Sequence, residues 1–166
     1  MLFTILPVGA VSVVAVAEKE NSGETILFIS NLSTVLFLCA GLLENLSKNI
    51  HETYPQKFFE SGIVFSKGTP IRETSSLACV TASEETHFSE IKAVLQSLLR
   101  IGFNIKCETK TLPSHVLFSQ GRVAEIIVNK KTVGYIGELD SKVLENFRIR
   151  TRVVGFEIKL SGLIFD

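Results

Sequence analysis

Residues 118–140 read Phe-Ser-Gln-Gly-Arg-Val-Ala-Glu-Ile-Ile-Val-Asn-Lys-Lys-Thr-Val-Gly-Tyr-Ile-Gly-Glu-Leu-Asp. Gly121-Arg122 opens a predicted strand, since apolar and β-branched residues follow it. The polar Asn129-Lys130-Lys131 predicts a turn, and Thr132 to Leu139 predicts the returning strand. The stretch therefore predicts a β-hairpin, and it contains no catalytic constellation.

The remainder of the chain predicts an α+β fold, an antiparallel sheet flanked by helices. Downstream, a short helix around Leu-Glu-Asn-Phe and a last strand, Val153 to Leu160, follow the hairpin. Upstream, the predicted strands are Thr25–Ser30, Phe58–Phe65, Leu77–Thr81 and Asn104–Thr109. Two helices are predicted, from a Ser33 or Thr34 cap to Ile50, and from Glu84 to Gly102, with Gly102 as the C-terminal stop. The second is amphipathic, and its predicted inward stripe is Phe88, Ile91, Val94, Leu95, Leu98 and Leu99.

Composition predicts one compact domain over residues 1–166, with 1–25 of uncertain assignment. The 166 residues are 46% hydrophobic and 20% charged, enough for one core. Seventeen basic residues balance seventeen acidic ones, so the chain has no net positive charge that would attract nucleic acid. The basic clusters Lys130-Lys131 and Arg148, Arg150, Arg152 are interpreted as solvated surface rather than as a tRNA-facing patch.

Cysteine and histidine usage predicts no metal site. Cys39, Cys79 and Cys107 are odd in number and widely spaced, which argues against both a zinc motif and a disulfide framework and favours a cytoplasmic location. The three histidines are scattered as well. His115, near the Gly121-Arg122 turn, is the one to examine first.

The N-terminal segment is ambiguous. Residues 1–17 are almost wholly apolar, but no basic residue precedes the apolar run, and Pro7-Val8-Gly9 interrupts it. A membrane-spanning helix needs about 20 apolar residues. We interpret the segment as two strands, Leu2–Leu6 and Ala10–Ala17, with a membrane anchor as the alternative.

The order of hairpin, short helix and last strand closely resembles the C-terminal part of phenylalanyl-tRNA synthetase beta subunits of the archaeal and eukaryotic kind. That family has Pro-Gly-Arg-x-Ala-x-Ile, Ile-Gly-x-Ile-Gly-Glu, Val-Leu-x-x-Phe and Ala-Phe-Glu-Ile in this order. The matching residues are Gly121, Arg122, Ala124, Ile126, Val133, Gly134, Ile136, Gly137, Glu138, Val143, Leu144, Phe147, Phe156, Glu157 and Ile158.

The resemblance continues upstream in separate blocks. Residues 41–49 are similar to the family's Gly-Leu-Leu-x-x-Leu-x-x-Asn helix, 54–62 to its Pro-Gln-x-Ile-Phe-Glu-x-Gly strand, and 87–92 to its Asp/Asn-Phe-x-x-Ile-Lys helix start. About Ile26 to the C-terminus is covered. Gln120 stands where the family usually has proline, and residues 36–43 lack the family's arginine and proline.

The resemblance implies a class II aminoacyl-tRNA synthetase-like sheet without the active site of those enzymes. The active sites of those enzymes need cationic groups that contact the phosphate being transferred. Here the motif 2-like strand offers Lys57 and Glu60, and the last strand leads into Ser161-Gly162-Leu163 without an arginine. Lys57 and Glu60 are interpreted as a remnant pair or, more simply, an exposed ion pair at a strand edge. No catalytic residue is assigned.

The helix ending near Ile50 resembles motif 1, which implies a position between subunits. It is apolar on more than one face and needs two neighbours. Its outward stripe is predicted to hold Phe37, Gly41, Glu44 and Lys48, flanked by Leu36 and Leu43. The predicted subunit interface is therefore Leu36, Phe37 and Leu43, with self-association expected of the isolated chain.

The leading hypothesis is a noncatalytic module that supports the catalytic alpha subunit of phenylalanyl-tRNA synthetase, with tRNA contacted indirectly through the complex. ATP and Mg²⁺ would, by this resemblance, belong to the partner subunit, and no cofactor is expected in this chain. The alternative is a free-standing synthetase-like paralogue that binds or senses a small molecule. An enzyme in its own right is disfavoured by the missing phosphate-binding arginines.

Overall fold

The computed structural model describes residues 14–19, 25–30, 37–66 and 72–164 of the chain. The strands are β1 (Val14–Lys19), β2 (Thr25–Ser30), β3 (Gln56–Ser66), β4 (Arg72–Ala82), β5 (Glu108–Leu112), β6 (Phe118–Val128), β7 (Lys131–Leu139) and β8 (Val153–Lys159). The helices are α1 (Leu38–Lys48), α2 (Phe88–Phe103), α3 (Ser141–Asn146) and α4 (Ser161–Ile164).

Six of these strands form one sheet in the order β3-β4-β8-β7-β6-β5, with every neighbouring pair antiparallel. The predicted α+β class and the predicted hairpin of β6 and β7 are thus confirmed. β1 and β2 pair antiparallel in a separate two-stranded sheet. β2 has the bounds predicted for it, and β1 overlaps the predicted strand Ala10–Ala17, whereas Leu2–Leu6 lies outside the described residues.

The two faces of the sheet carry two separate apolar clusters, because side chains alternate along each strand. On one face, Phe58, Val80 and Val153 pack with Leu42 and Leu46 of α1. On the other face, the side chains of Ile126, Ile136, Phe156 and Ile158 pack with those of Ile91, Leu95 and Leu99. The last three recur every four residues on α2, as predicted for its inward stripe, and all three are fully buried.

α1 is buried on nearly all sides. It packs against β3, β4 and β8 of the large sheet and contacts β1 as well. The apolar helix therefore has two neighbours within the chain itself, the large sheet and β1. This arrangement buries seven of its eleven residues: Leu38, Cys39, Ala40, Gly41, Leu42, Leu43 and Leu46.

The helix ends differ from those predicted. Phe37 is extended, with φ −145°, and α1 begins after it, so neither Ser33 nor Thr34 is the cap. α2 likewise begins at Phe88 rather than Glu84. It ends at Phe103 and is capped by Asn104, whose φ of 54° is left-handed, and Gly102 lies inside the helix. Asparagine tolerates that conformation, so Asn104 rather than the predicted Gly102 stops the helix.

Candidate functional site

The face of the sheet beneath α1 carries a half-buried carboxylate, that of Glu157. Val153 lies in the cluster under α1 and Phe156 lies in the cluster under α2, so alternation along β8 directs Glu157 towards α1. The backbone N–H of Cys39 donates a hydrogen bond of 3.0 Å to its Oε2 atom. Since Phe37 offers no side-chain cap, a distant strand supplies the acceptor that the start of α1 needs.

Burial and charge oppose each other at this carboxylate. Burial raises the pKa of Glu157, and hydrogen bonds from the Cys39 and Leu38 backbones offset part of that rise. Glu60 lies on the same face and raises the pKa further. Burial, followed by the proximity of Glu157, raises the pKa of the Cys39 thiol well above its usual value. The thiol is therefore protonated near neutral pH and is a poor nucleophile.

A row of polar and aromatic side chains crosses the same face. Strand register aligns Glu60 with Ala78, Ala78 with Glu157, and Glu157 with Tyr135. The ring centroid of His115 lies 4.3 Å from that of Tyr135. His115 also contacts the rings of Phe118 and Phe37, with centroids 5.2 and 6.2 Å away.

His115 is held in one protonation state by this packing. Its Nδ1 accepts a hydrogen bond of 3.3 Å from the Leu117 backbone N–H, which assigns the remaining proton of the neutral ring to Nε2. Burial lowers the pKa of His115. The row therefore combines a neutral imidazole, a phenol and two carboxylates of raised pKa, Glu60 and Glu157. Such a group carries no cation to stabilise a transferring phosphate.

Lys57 and Glu60 do not form a pair. They are three residues apart on β3 and therefore lie on opposite faces of the sheet. Lys57 Nζ instead contacts Glu90 Oε1 of α2 at 2.7 Å, and the hydroxyl of Thr86 donates to Glu90 Oε2 at 3.2 Å. The bond from Lys57 lowers the pKa of Glu90. Both versions of the Lys57–Glu60 interpretation are thus wrong.

The predicted interface residues lie in different environments. Phe37 is partly buried against the core, Leu43 is fully buried within the chain, and Leu36 lies outside the described residues. Of the predicted outward stripe, Gly41 is buried, while Glu44 is half-buried and Lys48 is exposed. These two form an ion pair of 2.8 Å. The assignment of Leu43 to an outer face is corrected, because its side chain is fully buried in the apolar cluster that includes Phe58 and Val80, and the interface itself stays a prediction.

Two surface grooves lie at the end of the sheet where β3 and β8 begin. The larger groove, about 920 Å³, is lined in part by Arg148, Arg150, Glu84, Glu85 and Glu145. The smaller groove, about 420 Å³, is lined in part by His87, Arg122, Glu138 and Arg152. The basic series 148, 150, 152 is therefore divided between the grooves, and acidic side chains lie beside it in both.

Among residues whose placement is described, no group of three or more histidine, cysteine, aspartate or glutamate side chains is arranged to hold a metal ion. In the same part of the chain, no helix has both the length and the apolar character needed to cross a membrane. All three cysteines are free.

Sequence reasoning did not find the capping role of Glu157 or the grouping of Arg122, Glu138 and Arg152. One signal for the first was available. Glu157 is the single charged residue within the apolar run 153–158, and an isolated acid in a buried strand needs a donor. No local signal marked the second, because the three residues come from β6, β7 and the segment before β8.

Comparisons with known proteins agree on one family. The family described as "Phenylalanyl tRNA synthetase beta chain CLM domain" matches residues 36–160. Phenylalanine–tRNA ligase beta subunits from Thermococcus kodakarensis and Pyrococcus abyssi are 42% and 40% identical over 132 residues, 76% of this chain. The chain spans only 22% and 23% of their lengths.

A solved structure gives the same fold at low sequence identity. Pyrrolysyl-tRNA synthetase from Desulfitobacterium hafniense superposes with a TM-score of 0.60 at 17% identity, over 78% of this chain and 48% of that one. The antiparallel sheet with flanking helices is therefore a class II aminoacyl-tRNA synthetase-like fold.

Proposed function

The chain belongs to the phenylalanyl-tRNA synthetase beta chain family, and we propose that it acts as the noncatalytic class II-like module that supports the catalytic alpha subunit in aminoacylation of tRNA(Phe). One observation carries the proposal. The matched residues 36–160 contain α1 and all six strands of the large sheet, so the family likeness extends over the whole folded unit rather than one motif.

The chemistry beneath α1 supports a noncatalytic role. Adenylate formation requires fixed positive charge around a phosphate. The row on this face instead presents Glu60 and Glu157, both with pKa values raised by burial. Glu157 is already engaged by the start of α1. ATP and Mg²⁺ are accordingly proposed to bind in the partner subunit, and tRNA to reach this chain only through the complex.

The proposed setting is the cytoplasm, where cysteines stay reduced. The Cys79 thiol has a pKa raised to about 12 by burial, and Cys39 is fully buried. Buried thiols of this kind resist oxidation and serve as small apolar side chains. They suit a protein-bound structural module.

Association with an alpha subunit is the direct test. The tagged chain, co-expressed with a phenylalanyl-tRNA synthetase alpha subunit, is expected to retain it through affinity and size-exclusion steps. Phe37→Glu, at the start of α1, should abolish retention. Ile101→Glu is the matched control, since Ile101 is 80% exposed on α2 and should tolerate the charge.

Thermal unfolding of both variants must first show that they fold. If the folded unmodified chain retains no alpha subunit, the proposal fails. The alternative, a free-standing paralogue that binds a small molecule, is then favoured. Its candidate binding site is the pair of half-buried rings of Tyr135 and His115 beside Glu157.

A further inference from the structure

Two arginines share one carboxylate in the smaller groove. Arg122 Nη1 lies 2.7 Å from Glu138 Oε2, and Arg152 Nε lies 3.5 Å from Glu138 Oε1. The first contact is a hydrogen bond and uses one of the five N–H donors of the Arg122 guanidinium, and the second is a longer ion pair. Glu138 thereby holds two cationic planes near each other, while its side chain is only 22% exposed.

The local backbone explains this convergence. The pairing of β6 with β7 shifts register between Phe118 and Val123, and Gly121 within the shift has φ 72°. A side chain at Gly121 would be strained by that left-handed φ, so glycine lets the bulge form. The bulge places Arg122 beside Glu138 at the groove. Arg152 is held nearby because its carbonyl accepts a hydrogen bond of 3.1 Å from the Ser83 N–H.

The groove has an excess of positive charge. Its lining includes two arginines against one glutamate. His87 is the residue before α2, a 16-residue helix, and makes no side-chain cap to it. The carboxylate of Glu90 in the first turn is engaged by Lys57 and Thr86. The partial positive charge of the helix start therefore adds to that of the guanidiniums.

We propose that this groove binds a phosphate group, through Arg122 and Arg152. Guanidinium forks match the geometry of phosphate oxygens, and a dianion attracts them more strongly than the single carboxylate already present. The volume, about 420 Å³, accommodates a phosphate with part of the molecule that carries it. The inference stands apart from the proposed function, because it requires no partner subunit.

Binding of inorganic phosphate to the full 166-residue chain tests it, by isothermal titration at constant ionic strength. The unmodified chain is expected to bind with about millimolar affinity or tighter. Arg152→Gln should weaken binding by about tenfold or more, as loss of a charge-assisted hydrogen bond does. Arg150→Gln is the matched control, since Arg150 is exposed two residues away and lines the other groove.

A competition arm distinguishes the sources of phosphate. Displacement of inorganic phosphate by an unstructured oligouridylate, lost in Arg152→Gln, identifies the ligand as a nucleic-acid backbone. Failure of the oligouridylate to displace phosphate excludes a nucleic-acid backbone and leaves a small phosphorylated molecule as the ligand. The proposal is overturned if the unmodified chain does not bind phosphate, or if Arg150→Gln weakens binding as much as Arg152→Gln in folded protein.

Discussion

The N–H of Cys39 donates to the carboxylate of Glu157 across 118 positions of sequence, over a distance of 3.0 Å. This bond ties the start of α1 to the strand at the centre of the sheet. It also holds a carboxylate where it is partly removed from water, so the hydrogen bond stabilises the charge of Glu157 while desolvation disfavours it. Two substitutions at Glu157, one isosteric and one truncating, separate them.

Glu157→Gln keeps an acceptor for the α1 backbone and removes the buried charge. Because burial raises the pKa of Glu157, the ionised form is disfavoured in the folded state, and the glutamine variant should be more stable at pH 7. Glu157→Ala removes the acceptor as well and should be less stable than Glu157→Gln by about 0.5–2 kcal/mol, the usual cost of a lost cap. Urea denaturation measures both, and equal stability of the two variants would refute the capping role.

The same residue predicts a pH dependence. A folded pKa above the unfolded value means that the native state binds more protons, so stability is present below the ordinary carboxyl pKa of 4.5 and falls as pH rises through the raised value. The advantage of Glu157→Gln should therefore shrink as pH is lowered towards 4.5 and vanish below it. The pKa of Glu60 is raised as well, so the dependence of stability on pH should be measured in a Glu60→Gln background.

Two glycines of β7 should resist substitution. A Cβ on Gly137 would lie 2.6 Å from the Arg122 carbonyl oxygen, and one on Gly134 would overlap the Glu157 carbonyl. Gly137→Val should destabilise by about 1–3 kcal/mol or more, as overpacking does. Gly102→Ala is the control, since Gly102 lies in α2 with open space around it and should gain up to about 1 kcal/mol. An unchanged thermal midpoint for Gly137→Val would contradict the close strand approach.

Leu43 should behave as a core residue. Leu43→Ala is expected to cost about 2–5 kcal/mol, because the side chain is fully buried within the chain. Lys48→Ala, at an exposed position of the same helix, should cost about 0.5 kcal/mol or less. Polar replacement of Leu36, Phe37 and Leu43 together would therefore unfold the chain rather than free a monomer. A small effect of Leu43→Ala in thermal unfolding would instead favour an outward Leu43.

The isolated chain should not activate phenylalanine. Phenylalanine-dependent exchange of pyrophosphate into ATP is expected to stay at background, because the row beneath α1 presents the carboxylates of Glu60 and Glu157 where adenylate formation requires fixed positive charge. Lys57→Ala should leave that background unchanged, since Lys57 contacts Glu90 on the opposite face from Glu157. Exchange that Lys57→Ala abolishes would overturn this view.

The sequence was sufficient for the hairpin of β6 and β7 and for the apolar stripe of α2, because both rest on short-range periodicity. It was insufficient where a distant partner decides the outcome. Glu157 replaces a local cap for α1, and Asn104 rather than Gly102 stops α2. Lys57 pairs with Glu90, 33 positions away, because alternation on β3 separates it from Glu60. Long-range contacts of this kind leave no periodic trace in the residues on either side.

The strand order has a consequence for biosynthesis. Of the six strands in the large sheet, β8 comes last in sequence, yet it lies between β4 and β7 in the middle of the sheet. While the chain emerges from the ribosome, the hairpins β3-β4 and β6-β7 can form early, but each keeps an open edge until β8 is released. Pairing over such sequence separations is slow, and open edges template aggregation. Newly made chain is therefore expected to depend on chaperones during the interval before its last strand inserts.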